Sequence, residues 1–428
     1  VKSQSFSPNK RSVKGYDFSM SQPAPAPLVY DPRDPAVRRD PFPLYRRLRT
    51  EDPVHWSPVL RGWILTRFED VRRAHAADEL SSDRITPFYE KMPAQERSVL
   101  AELVHYLNLW LVFRKAPEHT RLRRLLNAGF TTQAVQSLQP RINEVVDGLL
   151  DQLEYGREVD LIARFATLVP AMVIMHMLGV PVGMLHQVKE WTNEMALFIG
   201  SAQGVADKYE RAAVGAREMS AYFRDLIAAR RAEPTDDILS RLIAARDDND
   251  ALSEDELVAS CMLMLFGGHE TTTNLIGNAA YTLCRHPDQR AKLLERPELI
   301  GPAIEEVLRY DGPSNSSARI VAVDHELGGK ALKAGDRVFA MVNAANRDPE
   351  AFEDPETFDI ERSPNRHVTF GYGIHFCLGS QLARLEGKIA VGELVRRFPD
   401  MRLGPQGEPE WVNAMIMRGL RALPVVTS

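Results

Sequence analysis

The chain has 428 residues with 53 Lys and Arg against 58 Asp and Glu, a net charge of -5, which gives no basis for a nucleic acid partner. Its only cysteines, Cys261, Cys284 and Cys377, are too few and odd in number for a disulfide framework, which points to a reducing compartment, the cytoplasm. No run approaches about 20 uninterrupted apolar residues, so neither a membrane span nor an apolar leader is expected.

Residues 1–28 are rich in Ser, Lys and Pro and end in Gln22-Pro23-Ala24-Pro25-Ala26-Pro27. Such a segment buries too little apolar surface to order itself. It is expected to be a flexible tail, with Met20 a candidate start and residues 1–19 a candidate upstream extension. Beyond it neither a second linker nor a repeat interrupts the chain, and residues 29–428 read as one domain. A helix is expected over 41–51, then a short hairpin around Val54–Trp56 and Gly62–Thr66, then a helix from Arg67 with Glu69 and Asp70 in its first turn. Helical periodicity follows over 117–129, 134–153, 159–178, 183–199, 204–231, 236–245, 253–284, 287–295 and 298–310. Strand signals are short and late, near 318–323, 325–328, 331–333 and 337–341. Residues 342–376, with Pro349, Pro355 and Pro364, show no regular period, and a run of that kind inside a domain points to function. The fold class is mainly α with a small β-rich region.

Cys377 lies seven residues after Phe370 in a stretch punctuated by Gly371, Gly373 and Gly379, and a helix is expected from Ser380. A tight loop backed by a helix N-terminus can present a thiolate to a metal, its charge stabilised by backbone N–H groups. Taken alone, Cys377 reads as a small buried hydrophobe, as do Cys261 and Cys284 in their apolar helical surroundings. Upstream, Gly267 and Gly268 interrupt a long apolar helix, at about 1 kcal/mol each relative to Ala, just before Glu270 and Thr271. Close packing accounts for two glycines equally well; the acid and hydroxyl that follow favour chemistry. Glu306 and Arg309 stand at i,i+3, commonly a solvated pair of little worth. His119 and Arg123 share a helix face at i,i+4 and by themselves read as an exposed basic patch.

Together these stretches resemble the cytochrome P-450 family. Phe370, Gly373, His375, Cys377 and Gly379 fall on its Phe-x-x-Gly-x-His/Arg-x-Cys-x-Gly loop, and Gly267 to Thr271 on its Ala/Gly-Gly-x-Asp/Glu-Thr groove. Glu306 and Arg309 match its Glu-x-x-Arg, and His119 and Arg123 its His-x-x-x-Arg. The resemblance runs from about residue 31 and implies a triangular helical haem domain. Haem b is then the cofactor and Cys377 the proximal thiolate ligand of its iron, a ligation that favours O–O cleavage. It implies that Gly267 and Gly268 make room for O2 where the helix locally widens, that Thr271 hydrogen-bonds the oxygen or its water, and that Glu270 relays protons. His269 is expected to face away. Glu306, Arg309 and Arg362 form a structural triad bracing the cysteine loop, while His119, Arg123, Arg319 and His375 anchor the haem carboxylates. One departure stands out: relatives often carry Asp-Pro-Pro before the histidine, and this chain has Lys115-Ala116-Pro117.

Substrate-facing candidates are Leu109 and Trp110, in an expected loop before the haem helix, with Phe198, Met264, Ser314, Met415 and Ile416. The mixture suits a small or medium, largely apolar organic substrate. The implied enzyme is a monooxygenase that inserts one atom of O2 into that substrate, a cytoplasmic monomer without a membrane anchor. Its electrons come from a separate ferredoxin and ferredoxin reductase. Arg72, Arg73, Lys115, Arg121, Arg124 and Arg384 offer an acidic partner a docking face. A peroxide-driven or oxidative-coupling enzyme of the same fold, and a non-catalytic haem carrier or sensor, are the alternatives; the Glu270–Thr271 pair argues for O2 activation.

Overall fold

One helix, Glu254–Arg285, organises the molecule in the computed structural model, which describes residues 28–199, 205–246, 250–405 and 409–428. Its start is fixed by a capping box: the Ser253 hydroxyl accepts from the Glu256 N–H at 3.3 Å, and the Glu256 carboxylate accepts from the Ser253 N–H at 2.8 Å. A helix that is apolar nearly all round belongs in a core. Helices Ala94–Leu109, Leu168–Met177, Lys208–Ala232 and Ser380–Arg397 accordingly pack around this one. Burial is interrupted over Phe266–Thr271, where a cavity opens. The tail expected over 1–28 lies outside the described residues except for Leu28, which packs against the cluster around Tyr30 and Tyr45.

The β-rich region is a sheet of five short strands in the order Val54–Ser57, Gly62–Leu65, Arg337–Ala340, Ser317–Val321 and Leu80–Ser81. Gly62–Leu65 runs parallel to Arg337–Ala340; the other neighbours are antiparallel. The sheet thus joins the first hundred residues to the segment that follows Pro313, and so brings one wall of the cavity together.

Several expected elements differ in detail. The period over 134–153 is two helices, Thr132–Gln136 and Gln139–Leu150, with Pro140 in the first turn of the second. The period over 159–178 divides into the strand Glu158–Asp160, a π-helical turn Ile162–Ala166 and the helix Leu168–Met177. Residues 106–109, expected in a loop, close the sixteen-residue helix Ala94–Leu109, and Trp110 is its C-cap. Leu100, Leu103, Val104 and Leu107 bury its inner face, and tertiary packing decides the segment.

The run without a period, 342–376, is held by side chains in place of ladders. The Asn346 amide donates to the Thr369 hydroxyl at 2.8 Å and accepts from the Val368 N–H at 2.9 Å, while the Thr369 hydroxyl donates to the Leu308 carbonyl at 2.6 Å. Glu306 is the other anchor. It is fully buried and accepts from Arg309 at 2.8 and 2.7 Å, from Arg362 at 3.2 Å, from Asn365 at 3.0 Å and from the Asp359 N–H at 3.0 Å. The remaining guanidinium N–H groups go to carbonyls of the same run: Arg309 to Asn346, Pro355 and Thr357, Arg362 to Glu353, Asp354 and Thr357. Next to it, Glu305 takes His367 at 3.1 Å and Arg384 at 2.7 Å. Burial pushes the Glu305 carboxyl up, but the His367 and Arg384 hydrogen bonds outweigh it and hold its pKa at about 2.

Two outcomes follow from these anchors. Glu306→Ala leaves two guanidiniums inside the protein without their carboxylate, at a cost of about 3–5 kcal/mol, read as loss of soluble protein or a lowered denaturant midpoint. Glu305 has a depressed pKa, so its contribution is complete above the unfolded value near 4.5 and is lost as pH falls through about 2. Glu305→Gln should therefore flatten stability across that interval by up to about 3 kcal/mol, measured by urea unfolding at a series of pH values.

Candidate functional site

The cysteine loop is shaped by backbone that only glycine adopts easily: φ is +76° at Gly371 and +72° at Gly373. Conformation, not space, is what favours glycine there: a Cβ on Gly373 would make ordinary contacts, 3.4 Å from the His75 carbonyl and 3.5 Å from Ala76. The Cys377 N–H donates to the Phe370 carbonyl at 2.9 Å and closes the loop, and the helix Ser380–Arg397 begins three residues on. Phe370 is held by Arg384, whose guanidinium stands 4.4 Å from its ring centroid, so the bridge from Glu305 to Arg384 reaches the loop. Cys377 lines a cavity of about 380 Å³. Burial pushes its thiol up, while the Gly379 backbone N–H, Arg123 and Arg384 pull it down. The other two thiols sit elsewhere: Cys261 is fully buried among apolar side chains, and burial pushes Cys284 up to about 11.

The same cavity gathers His75, His119, Arg123, Arg319 and His375, and among the described residues no carboxylate lines it. His119 is 1 % exposed with both ring nitrogens unpartnered, and its ring centroid lies 4.4 Å from that of His375. Burial, then His119, Arg319, His75 and Arg123, push His375 down to about 3. Arg319 is 8 % exposed and donates to the Ala318 carbonyl at 3.0 Å, and burial lowers its pKa to about 10. Arg123 donates to the Phe376 carbonyl at 2.6 Å. His75 escaped the sequence reading. Its Nδ1 is 2.8 Å from the Val71 carbonyl and its Nε2 2.9 Å from the Ser317 hydroxyl, contacts spread over segments that only the sheet brings together. Donors and cations without an anion suit a ligand that carries negative charge.

The central helix forms the facing wall with Met264, Gly267, Gly268 and Thr271. Gly267 opens on the cavity: a Cβ there would meet only Leu263, at 3.9 Å. A Cβ on Gly268 would press on Ile174 at 3.2 Å, so this glycine also serves close packing. The helix stays regular α from Glu254 to Arg285, without the expected local widening; the Thr271 hydroxyl instead donates back to the Gly267 carbonyl at 3.0 Å. Glu270 does not line the cavity, and burial raises its carboxyl. His269 is likewise off the wall, its Nδ1 3.4 Å from the Leu265 carbonyl.

Of the substrate-facing candidates, Met264 and Ser314 line the cavity. Leu109, Trp110, Phe198, Met415 and Ile416 do not. Leu109 packs on the helical core, and Trp110 is buried against Phe113 and Phe266, with ring centroids 6.0 and 5.3 Å away. Phe198 stacks between Phe88 and Tyr209 at 5.9 and 6.1 Å. Met415 and Ile416 act through their carbonyls, which accept from Asn315 and Ser316 and so fix the segment carrying Ser314. The basic face also changes. Arg121 is spent on Asp250 and Glu256, both at 2.6 Å, and Arg384 on Glu305.

The family model described as "Cytochrome P450" matches residues 89–298 and 298–413. Over 403 residues the chain is 41% identical to Cytochrome P450 107B1 of Saccharopolyspora erythraea, covering 92% of this chain and 96% of that one. It is 40% identical over 393 residues to the vitamin D(3) 25-hydroxylase of Pseudonocardia autotrophica, covering 90% and 94%. Among solved structures it is similar to the bacillaene polyketide synthase cytochrome P450 PksS of Bacillus subtilis 168, with a TM-score of 0.84 and 34% identity over 94% of this chain and 100% of that one. With half the chain matched by the family model and relatives at this identity covering nine tenths of it, this chain belongs to the cytochrome P-450 monooxygenases, whose cofactor is haem b.

Proposed function

We propose that this protein inserts one atom of O2 into a small or medium, largely apolar organic substrate and releases the other atom as water, using two electrons from a ferredoxin served by its reductase. The observation that carries the proposal is the pairing, across one cavity, of Cys377 with Gly267 and Thr271 on the central helix. Haem b, when bound, supplies the activation of O2. The residues fit that group: an unpartnered buried histidine and a cluster of cations without a carboxylate suit its two acid side chains, and a thiol on the cavity wall suits its iron.

In this reading Cys377 is the iron ligand, with its negative charge held by the Gly379 N–H and by Arg123. His119, Arg123, Arg319 and His375 hold the carboxylates. Thr271 must release its bond to the Gly267 carbonyl, after which its hydroxyl can hold a water or pass a proton into the cavity. Glu270, one residue away and raised toward neutrality by burial, can take up protons outside the cavity and deliver them inward. Leu263, Met264, Ile174 and Leu382 keep the cavity dry, while Ser314 and Ser316 offer a substrate polar contacts. Relatives named as a vitamin D(3) 25-hydroxylase and a mycinamicin IV hydroxylase/epoxidase act on organic compounds, which supports an organic substrate. The free thiols suit a reducing, cytoplasmic setting. The chain is proposed to act as a monomer.

Electrons enter, on this proposal, through the outer side of the cysteine loop. Tyr372, Ile374 and Phe376 are 44%, 51% and 40% exposed there, and the Arg72 guanidinium, itself paired with Glu69 at 2.7 Å, stands 5.3 Å from the Tyr372 ring centroid. An apolar centre with a basic rim suits an acidic electron carrier.

With labelled O2, a ferredoxin and its reductase, and an apolar compound that shifts the haem spin state on binding, one labelled atom should appear in the product and one in water. Absence of label from the product, or turnover with peroxide alone, overturns the reading. Thr271→Ala should keep electron consumption yet lower product by about tenfold or more, measured as product formed per reducing equivalent.

A further inference from the structure

Ser314 and Ser316 line the cavity, and Asn315 between them does not. Residues two apart fall on one side of an extended chain, so the one that separates them turns its side chain the other way. There the Asn315 amide closes a ring of hydrogen bonds with two phenols. Its Nδ2 donates to the Met415 carbonyl at 3.0 Å, and because a carbonyl can only accept, the amide has one orientation. Nδ2 also donates to the Tyr30 hydroxyl at 3.3 Å, and Oδ1 accepts from the Tyr45 hydroxyl at 2.8 Å. With the Tyr45 hydrogen committed, the 3.3 Å contact between the two hydroxyls is donated by Tyr30. Each member of the ring gives and receives, so each bond polarises the next. Tyr30, Tyr45 and Asn315 are 2%, 1% and 6% exposed, and burial raises both phenols, which keeps them protonated.

The backbone alone holds this segment loosely. The Asn315 and Ser316 N–H groups share one acceptor, the Ile416 carbonyl, at 2.9 and 3.4 Å, and the Arg418 N–H donates to the Pro313 carbonyl at 2.8 Å. The Asn315 carbonyl accepts only a long 3.4 Å contact from the Asn343 N–H. Bonds that run mainly to residues 416–418 attach the segment along one edge. The ring adds a second attachment, Tyr45 from the helix Phe42–Glu51 and Tyr30 from the segment before it. The Ser316 hydroxyl donates to the Met415 carbonyl at 3.2 Å, so toward a substrate it acts as an acceptor, which favours a compound carrying a hydroxyl.

We propose that Tyr30 and Tyr45 are positioning residues: through Asn315 they fix Ser314 and Ser316, and with them the orientation of a hydroxyl-bearing substrate in the cavity. This role rests on the oxygen-insertion reading above, and the two fail differently.

The experiment compares the holoenzyme as wild type, Tyr45→Phe and Tyr30→Phe, substitutions that keep each ring, including the edge contact of Tyr45 with Phe42 at 6.1 Å. By hydrogen exchange, Tyr45→Phe should speed the Asn315 and Ser316 amides about tenfold, and Tyr30→Phe, whose bonds are longer, by less. Peptides from 346–376 should keep their wild-type rates. In turnover with a ferredoxin and its reductase, Tyr45→Phe should raise KM for testosterone about tenfold and spread its products over more positions, with the carbon monoxide difference spectrum unchanged. For 5α-androstane, which has no oxygen, KM should not move. Wild-type exchange at Asn315 and Ser316 in Tyr45→Phe overturns the proposal. Faster exchange across 346–376 as well, or an equal rise in KM for the androstane, also overturns it, by making the tyrosines general supports of the fold. Wild-type product without label from O2 instead overturns the oxygen-insertion reading, and exchange alone then decides whether the tyrosines fix the serines.

Discussion

Everything around the cysteine depends on one fully buried carboxylate, that of Glu306. A buried ion pair is a poor source of net stability, because desolvation consumes most of the Coulombic gain. Its value here is positional. The Glu306 oxygens hold Arg309 and Arg362, and the guanidiniums of those two residues take carbonyls from Asn346 to Thr357. A stretch with neither helix nor ladder is thereby fixed as firmly as a strand, and the chain leaving it at Val368 can be handed to Asn346 and Thr369 in a single register. Phe370 and Cys377 inherit that placement through the hydrogen bond that closes their loop.

The two sides of the cysteine loop treat charge in opposite ways. Behind it, cations have anions: Arg309 and Arg362 have Glu306, and Arg384 has Glu305. Inside the cavity, Arg123 and Arg319 have only carbonyls, and His119 has nothing. On the proposed reading, the cofactor completes this half of the electrostatics. Binding a dianionic ligand to the folded chain then adds to stability by mass action, and it relieves repulsion among groups held near one another. Neutral His375, driven to about 3, is the form that such crowding favours until carboxylates arrive.

Much of this was legible where residue type and local conformation coincide. Gly371 and Gly373 take left-handed backbone, and the central helix announces itself by a long apolar run. What stayed hidden depends on segments far apart in sequence. His75 matters because the strand at Ser317 and the loop at Gly371 meet its ring. Glu305 sits beside a matched motif residue, and its worth comes from His367 and Arg384. Side-chain identity also misleads where the main chain does the work. Met415 and Ile416 suggested apolar contacts, yet their carbonyls are what hold Asn315 and Ser316. Trp110 suggested a pocket wall, but as a C-cap it turns inward onto Phe113 and Phe266.

The pairing of Arg121 and Arg384 with carboxylates of this chain bears on how the proposed electron carrier would be recognised. Both are bound by carboxylates of this chain, so they add little to a field felt outside it. On the proposed reading, steering then rests on cations such as Arg73 and Lys115, which are exposed. Rim charges of this kind set encounter rate and its salt dependence, whereas the apolar centre formed by Tyr372, Ile374 and Phe376 sets how closely a partner seats. Closeness matters more here, because those three residues belong to the same loop as Cys377. A partner packed on them is therefore separated from Cys377 by little more than the loop backbone.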